Sequence, residues 1–264
     1  AALGNSVTVD EGQLATNTGT WSDPDIGDTV TLGTSVGTIT QNGDGTWDWS
    51  FDTADGPPDS QTVTVTAEDN HGLTDSDQFE LIVQNVAPTI TNVFQVAPIP
   101  EGSVSTSGNL VVQSTDPAGS NDPPTYSFDC DNNGSFETPA IPTTSAADCF
   151  FDDNGTFPVP VQVDDGDGGI TTGVINAVVT NVAPTAFLPN VGNVDEGSSA
   201  SATFDNQFDP SSIDSASLHY AWDFENDGTF DSGDGTYAGS GPSDSAAIPA
   251  SLLADGPSNF TVRG

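Results

Sequence analysis

Apolar and polar residues alternate along short segments throughout the chain. Trp47, Trp49 and Phe51, for example, are separated by Asp48 and Ser50. Because successive side chains of a β-strand point to opposite faces, this period predicts strands with one buried face and one solvated face. The same alternation marks Val63–Ala67, Phe79–Val83, Phe157–Val163, Ile175–Val179, Ala200–Phe204 and Tyr220–Phe224.

Turn-forming dipeptides separate these predicted strands. Asp44-Gly45, Asn154-Gly155 and Asp227-Gly228 are typical of tight hairpins. No stretch of about ten residues carries both the apolar stripe and the capping residues of a helix. The pattern therefore predicts an all-β chain that is built from β-sandwiches.

One predicted strand contains two prolines, Pro158 and Pro160. Both lack the backbone N–H group that a central strand donates to its neighbour. We therefore expect this strand to be exposed on one side at the prolines, or to be bulged there.

Short motifs repeat at a nearly constant interval. Asn-Val-Ala-Pro occurs at Asn85–Pro88 and again at Asn181–Pro184, and the two copies are 96 residues apart. This interval is about the length of a small β-domain, so the chain is predicted to be a tandem array. Two dipeptides recur in the same phase: Glu11-Gly12, Glu101-Gly102 and Glu196-Gly197, and Asp23-Pro24, Asp116-Pro117 and Asp209-Pro210.

The repeats divide the sequence into three predicted domains, at residues 1–85, 86–181 and 182–264. The third is predicted to be incomplete at its C-terminal end, because Phe260 and Val262 correspond to Phe157 and Val159 of the second domain. A sandwich without its last strands would expose an unpaired edge, which invites strand addition from another chain.

A longer motif in the third repeat indicates a family. Glu-Gly and Asp-Pro are followed there by Tyr-Ala-Trp-Asp-Phe-x-x-Asp-Gly at Tyr220–Gly228, which resembles the PKD-type immunoglobulin-like repeat of prokaryotic surface proteins. The second repeat departs from it, with Phe128 in place of the Trp and Cys130 in place of the Phe. The first repeat lacks the motif and resembles the bacterial Ig-like or cadherin-like repeat. The resemblance implies Ig-like sandwiches in an elongated array.

The composition is extremely acidic. One basic residue, Arg263, stands against 39 acidic residues, for a formal net charge of −38. Nucleic acid and anionic membrane surfaces are excluded as partners, because both are bound through Lys and Arg. Such a surface attracts cations, although the charge also favours solubility on its own. No apolar run reaches the length of a membrane span, so no membrane insertion is predicted for this segment.

Cys130 and Cys149 are the two cysteines of the chain, and both fall in the second repeat. A disulfide in an oxidising compartment is the favoured interpretation, and a pair of buried free thiols is the alternative. The disulfide agrees with an extracellular or cell-surface location.

Acidic loops are predicted to gather at one end of each sandwich, where the linker from the preceding domain arrives. Carboxylates from two loops, together with linker carbonyls, would supply the six to eight oxygen ligands that calcium takes. The resemblance to cadherin-like arrays implies that calcium stiffens such junctions, and the alternative is a solvated acidic loop. The predicted ligands are Asp23, Asp25, Asp28, Glu68, Asp69, Asp116, Asp164, Asp165, Asp167 and Asp209.

A second predicted set of calcium ligands is local to two turns. In the second repeat, oxygen-bearing residues alternate up to a glycine, as in the first half of a calcium loop, and the third repeat has a counterpart. Asp, Asn and Gly also favour hairpin turns for backbone reasons, so a purely structural role stays open. The residues are Asp129, Asp131, Asn133 and Glu137 in one turn, and Asp223, Asp227 and Asp231 in the other.

Catalysis is not predicted. His71 and His219 are the only histidines, and neither lies near a recognisable nucleophile motif. The sequence therefore favours a structural repeat segment of a stalk, fibre or adhesin, with neighbouring repeats or cell-surface ligands as partners. A carbohydrate-binding accessory module of a secreted hydrolase is one alternative, with Trp21 available for a polysaccharide. A filament subunit that exchanges strands between identical chains is the other.

Overall fold

The computed structural model describes residues 5–25, 27–106, 108–136, 145–146 and 149–264. The chain forms two compact units. Unit 1 comprises residues 1–96, 106–147 and 158–176, and unit 2 comprises residues 97–105, 148–157 and 177–264. The second predicted domain, 86–181, thus contributes residues to both units, and the division into three domains remains a prediction.

The described residues are almost entirely strands and turns. They form β1 (Ser6–Asp10), β2 (Leu14–Thr20), β3 (Val30–Thr34), β4 (Thr38–Gln41), β5 (Thr46–Asp52), β6 (Gln61–Asp69), β7 (Thr74–Gln84), β8 (Thr89–Gln95), β9 (Ile99–Pro100), β10 (Ser103–Val104), β11 (Leu110–Thr115), β12 (Thr125–Phe128), β13 (Ser145–Ala146), β14 (Phe150–Phe151), β15 (Gly155–Asp164), β16 (Ile170–Thr180), β17 (Thr185–Phe187), β18 (Ala200–Thr203), β19 (Asp205–Phe208), α1 (Ser212–Ser215), β20 (Ser245–Ile248) and a 3-10 turn (Ala250–Leu253).

The first part of unit 1 is a sandwich of two sheets. One sheet has the strand order β1-β7-β6-β3, and the other has the order β2-β5-β4. Strand β1 pairs with β7 in parallel, and the remaining neighbours in both sheets are antiparallel. This confirms the prediction of an all-β, Ig-like sandwich.

Alternate residues of β5, β6 and β7 fill the core of this sandwich. Trp47 and Trp49 are buried, whereas Asp48 between them is exposed. The ring of Trp49 meets the ring of Phe79 edge to face at 4.9 Å, and its indole N–H donates to the Val36 carbonyl at 2.8 Å. The other buried apolar members of this core are Ala15, Val63, Val65, Leu81 and Val83.

The rest of unit 1 includes the strand that carries the two prolines. Strand β12 pairs with β15 from Thr125 opposite Asp164 to Phe128 opposite Val161. Pro158 and Pro160 lie beyond that ladder. There the backbone carbonyl of Pro160 accepts a hydrogen bond from the N–H of Asp129. The missing N–H groups are therefore tolerated because β12 ends before it reaches them. A separate sheet has the order β13-β11-β8.

Unit 2 contains shorter ladders. Strand β9 pairs in parallel with β16 at Val179 and Thr180, and β10–β14, β17–β19 and β18–β20 are antiparallel pairs. Its core cluster consists of Ala202, Trp222, Phe224 and Ile248. The strand predicted at Tyr220–Phe224 is not continuous, because Tyr220, Trp222 and Asp223 make isolated bridges to three separate segments. The prediction that Trp222 belongs to a core is nevertheless confirmed.

Replacing Trp49 tests the core of the first sandwich. Trp49→Ala should lower the free energy of unfolding by about 3–5 kcal/mol, because it leaves a large cavity beside Phe79. Trp49→Phe should cost less, since most of the packing stays and mainly the hydrogen bond to Val36 is lost. Chemical denaturation of both variants measures the difference. A cost below about 1 kcal/mol for Trp49→Ala would contradict this packing.

Candidate cation-binding clusters

The Glu-Gly motif of the first repeat lies in the tight turn between β1 and β2. The Glu11 side chain is fully buried, and its two carboxylate oxygens accept hydrogen bonds from the backbone N–H groups of Gly56 and Val86, each at 3.0 Å. Val86 belongs to the first Asn-Val-Ala-Pro motif. Gly12 has a φ of +68°, and a Cβ there would lie 2.7 Å from the carbonyl oxygen of Pro117. Three repeated motifs therefore meet at one place in unit 1.

Seven oxygen-bearing side chains surround this place, and we call them the first acidic cluster. The candidate ligand atoms of Glu11, Asp116 and Asp122 all lie within 4.8 Å of one another, as do those of Asp55, Asp122 and Asp167. The amide nitrogen of Asn85 donates to a carboxylate oxygen of Asp165 at 3.0 Å. The cluster comprises Glu11, Asp55, Asn85, Asp116, Asp122, Asp165 and Asp167.

Five parts of unit 1 supply these side chains. Glu11 lies between β1 and β2, and Asp55 and Asn85 follow β5 and β7 respectively. Asp116 and Asp122 follow β11, and the loop between β15 and β16 carries Asp165 and Asp167. Backbone N–H groups orient some of the carboxylates. Asp116 accepts from Ala118 through Oδ1 at 2.9 Å, and Asp165 accepts from Asp167 and Gly169 through Oδ1, each at 2.9 Å.

Four oxygens of the first acidic cluster are buried without a hydrogen-bond partner. They are Asp55 Oδ1, Asn85 Oδ1, Asp116 Oδ2 and Asp122 Oδ2. Asp122 as a whole is only 7% exposed. A buried oxygen that accepts no hydrogen bond is costly, and buried charge needs a partner of opposite sign. The one Arg of the sequence, Arg263, belongs to unit 2, where it lies over the Phe230 ring.

Three aspartates of the first acidic cluster have raised pKa values, so their surroundings disfavour the charged form. Burial, followed by the charges of Asp165, Asp116, Asp55 and Asp167, raises the pKa of Asp122 to about 6. Burial is also the largest cause that raises the pKa values of Asp116 and Asp55. A divalent cation would reverse this preference, because it stabilises the ionised carboxylates. Carboxylate and amide oxygens are the ligands that calcium takes, so the residues fit this ion.

Unit 2 holds a second acidic cluster that is built from the same motifs. Glu101 is buried, and its Oε1 accepts from the N–H of Val182, in the second Asn-Val-Ala-Pro motif, at 2.6 Å. The candidate ligand atoms of Glu101, Asp209 and Asp214 lie within 4.8 Å of one another. Gly102 has a φ of +65°, and a Cβ there would clash with the carbonyl of Pro210. The second acidic cluster comprises Glu101, Asp153, Asn181, Asp209 and Asp214.

Burial raises the pKa of Asp214 in the second acidic cluster, and the charges of Glu101, Asp153 and Asp209 add to this effect. Asp209 is buried, and its Oδ1 accepts from the N–H of Ser211 at 2.9 Å. The described part of unit 2 contains no buried side-chain oxygen that lacks a hydrogen-bond partner. In this respect the second cluster differs from the first.

A third group of predicted ligands lies on the loops after β2 and β6. The candidate ligand atoms of Asp23, Asp25 and Asp28 come together, and so do those of Asp28, Asp69 and His71. His71 Nδ1 and Asp28 Oδ2 are 3.2 Å apart. The backbone hydrogen bond from Leu73 is the largest cause that lowers the pKa of Asp69. Glu68 is exposed on β6 and does not join either group.

The two local turns use their carboxylates to bind the backbone. Asp129 accepts from the N–H groups of Asn133 and Gly134 at 3.0 and 2.8 Å, and Asp223 accepts from those of Asp227 and Gly228 at 3.2 and 2.9 Å.

Four other predicted ligands make the same kind of bond. Asp131, Asp164, Asp227 and Asp231 accept from the N–H groups of Asn133, Gly166, Thr229 and Phe224 respectively. Glu137 lies outside the described residues. Among the described residues, neither turn gathers three acidic or histidine ligand atoms within 4.8 Å. Calcium binding at these turns therefore stays a prediction.

Several cluster residues were absent from the predicted ligands. Glu11, Asp55, Asn85 and Asp122 were missed in the first acidic cluster, and Glu101, Asp153, Asn181 and Asp214 were missed in the second. The signal for some of them was present in the sequence, because Glu-Gly and Asn-Val-Ala-Pro recur in phase with Asp-Pro. The structure brings these motifs into contact, so they mark the acidic clusters as well as the repeat.

Cys130 and Cys149 are both disulfide-bonded, which agrees with the predicted disulfide, and neither cysteine is free. Among the described residues, no helix has the length and apolar character needed to cross a membrane.

Comparison with known proteins finds a family that is similar to the first repeat. Residues 1–82 match the model of the bacterial Ig domain family, so the first repeat is similar to domains of this family. No curated protein matches the sequence significantly.

Solved structures of cadherin and Ig repeats are similar at low identity. PcdhgB3 EC1-4 is 14% identical over 98% of this chain and 70% of its own, with a TM-score of 0.36. The Protocadherin GammaB4 extracellular domain is 16% identical over 77% of this chain and 37% of its own, with a TM-score of 0.35. Drosophila N-cadherin EC1-4 is 17% identical over 76% of this chain and 57% of its own, with a TM-score of 0.32. At these values the likenesses carry no argument about function.

The raised pKa of Asp122 predicts an unusual pH dependence in calcium-free protein. The folded state binds this proton more tightly than the unfolded state, whose Asp pKa is about 3.9. Stability should therefore rise as the pH falls from above 6 toward 4, because the penalty for the charged form is removed. Thermal unfolding in chelator at pH 7.5 and pH 5.5 measures this change.

Asp122→Asn and the exposed Asp75→Asn provide a matched pair for this test. Both remove one negative charge, but only Asp122 is buried in the cluster. Asp122→Asn should raise the Tm at pH 7.5 and flatten the pH dependence, whereas Asp75→Asn should follow the wild type. Identical pH profiles for the two variants would contradict the assignment to Asp122.

Proposed function

We propose that this chain is a structural repeat segment of an extracellular or cell-surface protein, and that calcium at the first acidic cluster stiffens the chain there. The four buried and unpartnered oxygens of that cluster carry the proposal. They lie among six carboxylates in a protein that has no Lys and one Arg. The sequence supplies almost no basic side chain, so the partner of opposite charge would be a cation from solution.

Electrostatic repulsion explains why the cation would affect rigidity. Two unit charges 4 Å apart repel by about 4 kcal/mol at an effective dielectric constant of 20, so a cluster of carboxylates tends to open. Calcium would draw the loops together through Glu11, Asp55, Asp116, Asp122, Asp165 and Asp167, with the Asn85 oxygen as a neutral ligand. Because Asn85 lies directly after β7, in the Asn-Val-Ala-Pro motif, the ion would restrain the chain where one repeat passes to the next.

Calcium suits the first acidic cluster better than magnesium does. Calcium accepts six to eight oxygen ligands in flexible geometry, and the cluster offers seven oxygen-bearing side chains. Magnesium requires near-octahedral geometry and gives up its water reluctantly. The proposed selectivity therefore follows from the number and kind of oxygen atoms.

A structural role is also favoured over the carbohydrate-binding alternative. Trp47, Trp49 and Trp222 are 1–2% exposed, so their rings are not available for stacking on a sugar. Trp21, the tryptophan that the sequence left open for this role, packs against the core of the first sandwich. Bacterial Ig domains in tandem suit a stalk, fibre or adhesin at the cell surface, and this remains our proposal for the location.

Thermal unfolding tests the calcium proposal. At a concentration 100 times its Kd, calcium should stabilise the fold by about 2.7 kcal/mol, which corresponds to a Tm increase of about 5–10 °C. Magnesium at the same concentration should give a smaller increase. The protein is measured in chelator, in calcium and in magnesium at pH 7.5.

Asp122→Asn should remove more than half of the increase that calcium causes, because it replaces a central carboxylate ligand. The matched control, Asp75→Asn, should keep the full increase. The proposal fails if calcium leaves the wild-type Tm unchanged, or if the two variants respond equally.

A further inference from the structure

The two acidic clusters are alike in their glutamates but differ in what binds the second glutamate oxygen. Glu11 Oε1 and Glu101 Oε1 both accept from a valine N–H of the Asn-Val-Ala-Pro motif. Glu11 Oε2 accepts from the backbone N–H of Gly56 at 3.0 Å. Glu101 Oε2 instead accepts from the side-chain amide of Asn154 at 3.3 Å.

The same amide also reaches the linker asparagine of the second acidic cluster. Asn154 Nδ2 lies 3.3 Å from Asn181 Oδ1 and 3.2 Å from Asp153 Oδ1. In the first cluster, the corresponding oxygen of the linker asparagine, Asn85 Oδ1, is buried and has no partner. One N–H₂ group in unit 2 thus contacts three oxygens, and one of these, Asn181 Oδ1, corresponds to an oxygen that has no partner in the first cluster.

The second acidic cluster also contains fewer carboxylates than the first. The first acidic cluster contains Glu11 and five aspartates, and four of its side-chain oxygens are buried without a partner. The second contains Glu101 and three aspartates, and the Asn154 amide contacts three oxygens there, whereas the Asn85 amide of the first cluster donates to Asp165 alone. An N–H donor carries partial positive charge, so it neutralises part of the field that would attract a cation.

From these contacts we infer that the Asn154 amide takes the place of a cation at the second acidic cluster, so that calcium binds there at least about tenfold more weakly than at the first. This inference rests on the proposed calcium binding at the first cluster. A cation that binds both Glu101 Oε2 and Asn181 Oδ1 must displace the Asn154 amide, whereas Asn85 Oδ1 in the first cluster accepts no hydrogen bond. Calcium therefore fills the first cluster first, and Asn154 sets the concentration at which the second responds.

Calorimetric titration of calcium into the full chain tests this ranking. The tightest binding should disappear in Asp122→Asn and persist in Asp214→Asn. Any second binding event in the wild type should be at least about tenfold weaker. The ranking is wrong if Asp214→Asn removes the tightest binding, or if the two events differ by less than threefold.

Variants of Asn154 test its role directly. Asn154→Ala removes the donor without adding charge and should tighten the weaker event several-fold. Asn154→Asp also adds a ligand oxygen and a negative charge, so it should tighten the event further, to within about tenfold of the first cluster. An Asp-Gly pair suits the same turn as Asn154-Gly155, so the local fold should be kept. Circular dichroism checks that the variants are folded.

Asn259→Asp is the matched control, because it adds the same charge at an exposed asparagine of unit 2. It should leave both binding events unchanged. If Asn154→Asp behaves like Asn259→Asp, or if Asn154→Ala weakens the second event, then Asn154 is not a competitor of the cation and the inference is overturned. A complete absence of calcium binding to the wild type would instead refute the proposed function itself.

Discussion

The described structure depends most on how it accommodates buried carboxylates without basic side chains. Glu11 and Glu101 lie in the interior of their units, and each binds the backbone at an Asn-Val-Ala-Pro motif. In most proteins a buried acid is paired with Arg or Lys, but this sequence has one Arg and no Lys. Backbone N–H groups bind both carboxylate oxygens of Glu11 and one of Glu101, whose other oxygen accepts from the Asn154 amide. They do not satisfy all the aspartates that gather around Glu11.

The motifs that mark the repeat in the sequence are thus parts of one physical arrangement. Glycine follows the glutamate because the turn needs a positive φ and because Pro117 or Pro210 approaches too closely for a Cβ. The valine N–H binds the glutamate, and the aspartate of Asp-Pro turns one carboxylate oxygen toward its own loop backbone. Each motif therefore has a steric or hydrogen-bonding role that does not depend on a bound cation.

The strands were largely predictable from the sequence, whereas the composition of the two acidic clusters was not. Trp47, Trp49, Phe79 and Leu81 are buried as their alternation indicated, because the period of two follows directly from strand geometry. Asp55 and Asp122 gave no such signal, since many of the 39 acidic residues lie in similar loops. The strand prediction was less accurate in unit 2, because the Tyr220–Phe224 segment makes isolated bridges to three separate segments instead of pairing with one strand.

The sequence alone determined the all-β class, the repeat interval, the excess of negative charge and the presence of many candidate oxygen ligands. These properties depend on local periodicity and composition, which can be counted along the chain. Tertiary structure alone decided which oxygens meet and which of them stay without a partner. Asp116 and Asp165 have backbone donors for one oxygen, while Asp122 is buried among other acids, and Asn154 donates to Glu101 across more than fifty positions of sequence. Such pairings depend on how distant loops approach one another, and no local pattern encodes that approach.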